Sequence, residues 1–346
     1  MKTKRRTVLL ASTAAGAAAL LARRRAAAAA AGTPGAPATA QVPPLSGRPR
    51  TVLTEDGIEL AVTEHGALDA RVTVVLAHGY TQSSALWAGQ VRDLVDTRPD
   101  WKVVTYDHRG HGHSGRTARD RATLEQLGRD LAVVIEAVAP TGPVVLAGHS
   151  MGGMSLMALA EHRPDLFGER IVACAFVATS AGKLAEVTWG MPAPVARLTQ
   201  RLLPRLHQRA VAAELAGKPR KAGPFDVRLI FPTGADPQLV ALTLNDQLAC
   251  TAETVAAFYP TFSGHDRVEA LAALAHLPAL VVVGDRDLVC PLEHSRAIAL
   301  ALPGAELVVY PGVGHMVHLQ RRAEVSRQLV TLVDRALAGR GALSAV

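Results

Sequence analysis

Ser150 stands in the run Val144 to Gly153, "VVLAGHSMGG", between small residues and directly behind an apolar stretch. Gly148-His149-Ser150-Met151-Gly152 fits G-x-S-x-G, and it has the setting that pattern needs, a strand before it and a helix after it. Small neighbours permit the sharp turn that lifts a hydroxyl clear of a sheet, while the positive end of the following helix faces the site. A serine hydroxyl is a weak nucleophile near neutral pH, so it requires a base, usually histidine, held by a carboxylate. Two later strand ends supply both types: "LVVVGDRDLVCP" offers Asp285 and Asp287, and "LVVYPGVGHMVHL" offers His315 and His318. Their chain order is serine, aspartate, histidine.

The elements that must position these groups alternate along the body of the chain. "TVLTEDGIELAVTEHG" reads as two strands around a turn at Asp56-Gly57. "RVTVVLAHG", "WKVVTYDHRGHGHSG" and "PVVLAGHSMGG" are short apolar runs ending in glycine loops, and "IVACAFVATSAG", "PALVVVGDRDLVCP" and "AELVVYPGVGH" extend the series. "TLEQLGRDLAVVIEAVA" is apolar at helical spacing, "MSLMALAEHRPDLF" is a helix stopped near Pro164, and "PLEHSRAIALAL" and about Ala323 to Leu337 complete the helices. Apolar strands alternating with helices predict a parallel sheet covered on both faces, with ligands beyond the C-terminal strand ends. Lys183 to about His276 breaks the alternation. It is too long for a plain loop and has helix starts such as Asp236-Pro237, so a mostly helical lid over 183–276 is expected.

Five motifs in order resemble those of the α/β-hydrolase fold family, in particular its lidded serine esterase and cofactor-free haloperoxidase-like branch. They are "HGY" at His78 to Tyr80, "DHRGHGHS" at Asp107 to Ser114, "GHSMGG" at Gly148 to Gly153, "GDRD" at Gly284 to Asp287 and "GVGH" at Gly312 to His315. The resemblance covers about Thr51 to Leu337. It implies an α/β fold with a mostly parallel eight-stranded sheet flanked by helices, a core of residues 51–182 and 277–346, and the helical lid. It also implies a nucleophile at Ser150, the base at His315 and the acid at Asp287, leaving Asp285 to its turn and His318 to packing. The oxyanion that forms on attack needs main-chain donors. The resemblance supplies them at Tyr80 and at Met151, the residue after the nucleophile. His78 and His149 fall at motif positions suited to structural hydrogen bonds.

The expected activity is hydrolysis of a carboxylic ester or related acyl substrate, a small and apolar molecule, through an acyl-enzyme. Haloperoxidase or perhydrolase-like chemistry, C-C bond hydrolysis and acyl transfer use the same three residues and stay open, as does a non-catalytic binding protein of the same fold. Epoxide hydrolases and haloalkane dehalogenases are disfavoured, because they carry aspartate where Ser150 stands. No cofactor is expected, since neither a Rossmann G-x-G-x-x-G nor a P-loop occurs. No metal is expected either: His108, His111 and His113 lie on a glycine-broken loop with no fixed face. His162, His207, His265, His276 and His294 read as surface or lid residues. The lid aromatics Trp189, Phe225, Phe231, Phe258, Tyr259 and Phe262, with Met191, are candidates to line an apolar pocket or to fix the lid on the core.

Composition separates the ends from the body. The 346 residues are 49% hydrophobic and 19% charged, which suits a large α/β domain. The formal charge of +7 is local: residues 1–50 hold nine of the 37 Lys/Arg and no acid, leaving 28 basic against 30 acidic residues elsewhere. The body therefore has no polyanion-binding signature, and no nucleic-acid partner is expected. Lys2, Lys4, Arg5 and Arg6 precede an uncharged run from Thr7 to Ala22, followed by Arg23 to Arg25 and a Pro/Ala/Gly linker. Residues 1–50 are thus expected to be a signal or membrane-anchor segment, with Arg5-Arg6 resembling a twin-arginine signal and membrane association through 7–22; a cytoplasmic enzyme with a basic tail is the alternative. Cys174, Cys250 and Cys290 lack metal spacing; Cys174 reads as a core residue, and in an exported protein Cys250 with Cys290 is the pairing to test.

Overall fold

The computed structural model describes residues 47–218 and 220–344. The N-terminal segment on which the export and anchor expectations rest lies outside the described residues, Gly47 to Arg50 apart. The chain there is already strand: β1 (Arg48–Leu53) pairs antiparallel with β2 (Glu59–Gly66) around Gly57 at φ 81°.

Six further strands complete one sheet: β3 (Thr73–Ala77), β4 (Lys102–Tyr106), β5 (Val144–His149), β6 (Ile171–Val177), β7 (Ala279–Gly284) and β8 (Ala305–Tyr310). The order is β1-β2-β4-β3-β5-β6-β7-β8, and every pairing from β4 through β8 is parallel. The central strands β3, β5, β6 and β7 are buried throughout, as uninterrupted runs of Val, Leu and Ala require when helices cover both faces. β8 is only half-buried, because it forms the sheet edge.

Successive side chains leave a strand on opposite faces, so each strand feeds two cores. Val75, Val104, Leu146, Phe176 and Val281 pack against α2 (Leu124–Val138), α3 (Met151–His162) and α8 (Leu292–Ala301), while Val74, Val103, Val145, Ala175 and Val282 pack against α1 (Ala88–Thr97) and α10 (Arg322–Ser344). The last helix begins one residue before the expected Ala323 and runs seven past Leu337.

Between β6 and β7 the chain is helical, with α4 (Ala193–Leu215), α5 (Pro224–Ile230), α6 (Pro237–Ala249) and α7 (Ala252–Phe258), and no strand among its described residues. Asp236 caps α6 by accepting from the Gln238 N–H at 2.8 Å, with Pro237 in the first turn.

Candidate active site

β3 and β5 are neighbours, with Ala77 opposite Gly148, so the loops carrying Tyr80 and Ser150 emerge side by side. Ser150 has φ 52° and ψ −118°, a strained conformation for a residue with a side chain. The strain is held by Val177 O, which accepts from Ser150 N at 3.0 Å, and by Thr179 Oγ1, which donates to Ser150 O at 2.6 Å. Glycine is required on both sides: a Cβ on Gly148 would lie 2.4 Å from the Gly152 carbonyl carbon, and one on Gly152 would lie 2.2 Å from Ala77 O. Met151 opens α3, so its N–H has no acceptor within the helix.

Asp287 and His315 meet beyond β7 and β8. His315 Nδ1 lies 2.8 Å from Asp287 Oδ2, and Asp287 Oδ1 accepts from the N–H groups of Val289 at 2.8 Å and Cys290 at 2.9 Å. Both side chains are buried, as is Ser150. Asp285 instead accepts from Gly312 N at 2.7 Å and stays on its turn.

His149 joins the nucleophile turn to the histidine loop. Its ring lies 4.8 Å from that of His315, and its Nε2 is 3.1 Å from His315 O. Cys290, three residues after Asp287, sits against the same turn. Burial, and then the neighbouring Asp287, push its thiol pKa well above the ordinary value, against the pull of a hydrogen bond from Ser150. Cys290 is therefore a neutral thiol beside the nucleophile, and it packs with Met151, Met154, Leu124, Leu127 and Phe258. All three cysteines are free and buried, so Cys250 and Cys290 are not bridged.

His78 has a structural setting. Its Nδ1 donates to Gly79 O at 2.8 Å and its Nε2 accepts from His108 N at 2.9 Å. Burial lowers its pKa, as it does for His149 and His108. His318 lies in the short helix α9 (Val317–Gln320), fully buried against Trp87 and His149. His265, expected to be a surface or lid residue, lies in the 183–276 segment and is buried. Its Nε2 donates to Ser180 O at 2.7 Å and Arg267 donates to its Nδ1 at 3.1 Å, because the chain returns to the core at the bridge between Gly182 and Asp266.

The "DHRGHGHS" loop works as a clamp. Asp107 accepts from Ser84 N at 2.7 Å and His113 N at 2.8 Å, and Ser114 Oγ donates to Asp107 O at 2.6 Å. Arg109 is fully buried and forks onto Asp130, at 2.6 and 2.7 Å, and Asp56, at 2.8 Å twice. Among the described residues no three His, Cys, Asp or Glu side chains are grouped to hold a metal ion.

Two residues that sequence reasoning missed hold the Tyr80 loop. Gln82 Oε1 accepts from Gly79 N and faces His149 Nδ1, both at 3.1 Å, and its Nε2 donates to Met316 Sδ at 3.4 Å. Asp246, on α6, accepts from Ser83 N at 2.9 Å and Ser83 Oγ at 2.5 Å. Neither belongs to a local motif, and Asp246 is 163 residues from its partner. The helical segment reaches the site twice more: Tyr80 OH donates to Val255 O at 2.5 Å, and His315 N donates to Ile230 O at 3.0 Å. Of the aromatics expected there, Phe262 packs edge-on to Tyr80 and Phe258 is buried beside His111, whereas Phe225 is exposed.

A doubly covered, mostly parallel sheet with a strained serine turn and a buried Asp–His pair at its strand ends defines an α/β hydrolase. The chain belongs to the family described as serine aminopeptidase, S33, whose model matches residues 69–322. It is an enzyme of the esterase and lipase type within that fold. A protein of Caulobacter sp. (strain K31) named as the carbamate hydrolase RutD is 28% identical over 76% of this chain and 90% of its own. The monoacylglycerol lipase of Mycolicibacterium smegmatis is 26% identical over 72% and 82%. In structure the chain is similar to a thermophilic esterase from Thermogutta terrifontis, with a TM-score of 0.66, 24% identity, and coverage of 84% of this chain and 99% of that one.

Proposed function

We propose that Ser150, His315 and Asp287 form a catalytic triad that hydrolyses carboxylic esters through an acyl-enzyme. The observation that carries this reading is the buried His315–Asp287 hydrogen bond together with a serine held in a strained turn, the two joined by His149, whose Nε2 lies 3.1 Å from His315 O. A carboxylate on Nδ1 fixes the ring proton there and leaves Nε2 free to accept the Ser150 proton as Oγ attacks the ester carbonyl. The carbonyl oxygen takes up negative charge, which the N–H groups of Met151 and Tyr80 stabilise. His315 then returns the proton to the departing alcohol, and the same ring activates water to release the acid from Ser150.

The helical segment 183–276 serves as the lid of this site. Its support is the set of contacts from Val255, Asp246 and Ile230 to the Tyr80 loop and to His315. An apolar acyl group suits the wall beside Ser150, built by Met151, Met154, Leu124, Leu127 and Phe258. A fluorophosphonate probe tests the assignment. Wild type becomes covalently labelled and Ser150→Ala does not; a folded wild type that resists labelling refutes it. Chromogenic esters of increasing acyl length then report the preferred chain.

A further inference from the structure

The outer face of α4 has an unusual composition. Five of the twelve large hydrophobic side chains exposed among the described residues lie on this one helix: Val195, Leu198, Leu202, Leu206 and Leu215. Leu198 is 57% exposed and Leu206 47%, and Ala196 is the helix's one buried residue. At 100° per residue the first four fall within an arc of about 80°. Arg197, Arg201, Arg205 and Arg209, each four residues from the next, form a basic stripe beside them. No acidic residue occurs between Glu186 and Glu214, and none of these four arginines pairs with an acid among the described residues.

We infer that α4 is an interfacial helix that lays this face on an anionic lipid surface. A leucine stripe bordered by arginines matches the acyl and phosphate layers of a bilayer surface, with the arginine stems lying along the apolar zone and their heads at the phosphates. No helix among the described residues is long and apolar enough to cross a membrane, so α4 lies in the surface rather than through it. A second copy of the chain is a poor occupant, because an isologous contact would oppose arginine to arginine with no acid between. A nucleic acid would satisfy the arginines and leave the leucines in water. The position has a functional consequence: α4 packs on α7, whose Val255 holds Tyr80, so a docked helix would bring the site to the lipid layer.

The test uses the full chain with Leu202→Trp as a local reporter, read as a difference spectrum against wild type. With vesicles of phosphatidylcholine and phosphatidylglycerol, the new emission should shift to the blue and be quenched by brominated lipid. High salt should reverse both effects. Replacing Arg197, Arg201 and Arg205 by Gln should lower the vesicle partition coefficient on the order of a hundredfold. Hydrolysis of a soluble ester should be unchanged, which verifies folding separately from docking. The inference is overturned if the reporter keeps its water-exposed emission while the protein pellets with vesicles, since another segment then binds. It is equally overturned if the reporter is buried without lipid in a self-associated species, since a second copy then covers the face.

Discussion

Asp287→Asn removes one charge and almost no volume, and the structure dictates how the new side chain must sit. Oδ1 of Asp287 takes two main-chain donors, from Val289 and Cys290, while Oδ2 takes only His315. The asparagine oxygen must therefore stay on the two N–H groups. The reverse orientation would set an NH2 against both and cost about 1–3 kcal/mol for each buried donor left unpaired. The amide NH2 then points at His315 Nδ1, which becomes an acceptor, and the ring proton moves to Nε2. That tautomer cannot accept the Ser150 proton. A loss of about 10⁴ in kcat is expected, equivalent to about 5 kcal/mol of transition-state stabilisation. Because both main-chain contacts survive, the denaturation midpoint should change little. The assay is p-nitrophenyl ester turnover per site titrated with fluorophosphonate, with Asp285→Asn as a control that keeps near-normal kcat. An Asp287→Asn enzyme within tenfold of wild type would refute the tautomer argument.

Other expectations follow from the same contacts. Asp246→Asn leaves one acceptor for the two Ser83 donors, so the Tyr80 loop should loosen and kcat fall roughly tenfold, less than the 10²–10³ cost of removing an oxyanion donor outright; KM should move little, and equal losses of folding and activity would argue against it. Arg109→Ala strands the buried Asp130 carboxylate, and urea denaturation should show a loss of about 3–5 kcal/mol. His265 is held down to about 4, first by burial and also by the Arg267 charge, against the pull of Ser180 O. Its folded pKa lies below the unfolded value of about 6.5, so the stability it contributes is complete above pH ~6.5 and is lost as pH falls toward ~4. About 2 kcal/mol should be gone at pH ~5, and His265→Gln should flatten the pH dependence of the urea midpoint by that share.

The strands, the serine turn and the order of the chemical groups were legible because each rests on short-range pattern. A parallel strand buried on both faces reads as an unbroken apolar run, and the close approach of Gly148 and Gly152 to backbone leaves its trace as glycine. The exposed face of α4 was equally present in the sequence as arginines four apart. That the leucines beside them stay uncovered is decided by the tertiary packing.

His265 shows the limit from the opposite direction. Nothing near it in sequence predicts burial, which comes from the return of the chain beside Ser180, 85 residues away.

What the sequence alone determined was which residue types reach the strand ends and in what order, because local backbone chemistry writes those features within a few residues. Tertiary structure alone decided that Gln82 and Asp246 hold the Tyr80 loop and that Cys290 borders Ser150. The long-range contacts among these join segments 67 to 234 residues apart along the chain, and a pairing of that kind exists only once the sheet has fixed the distance between its strand ends.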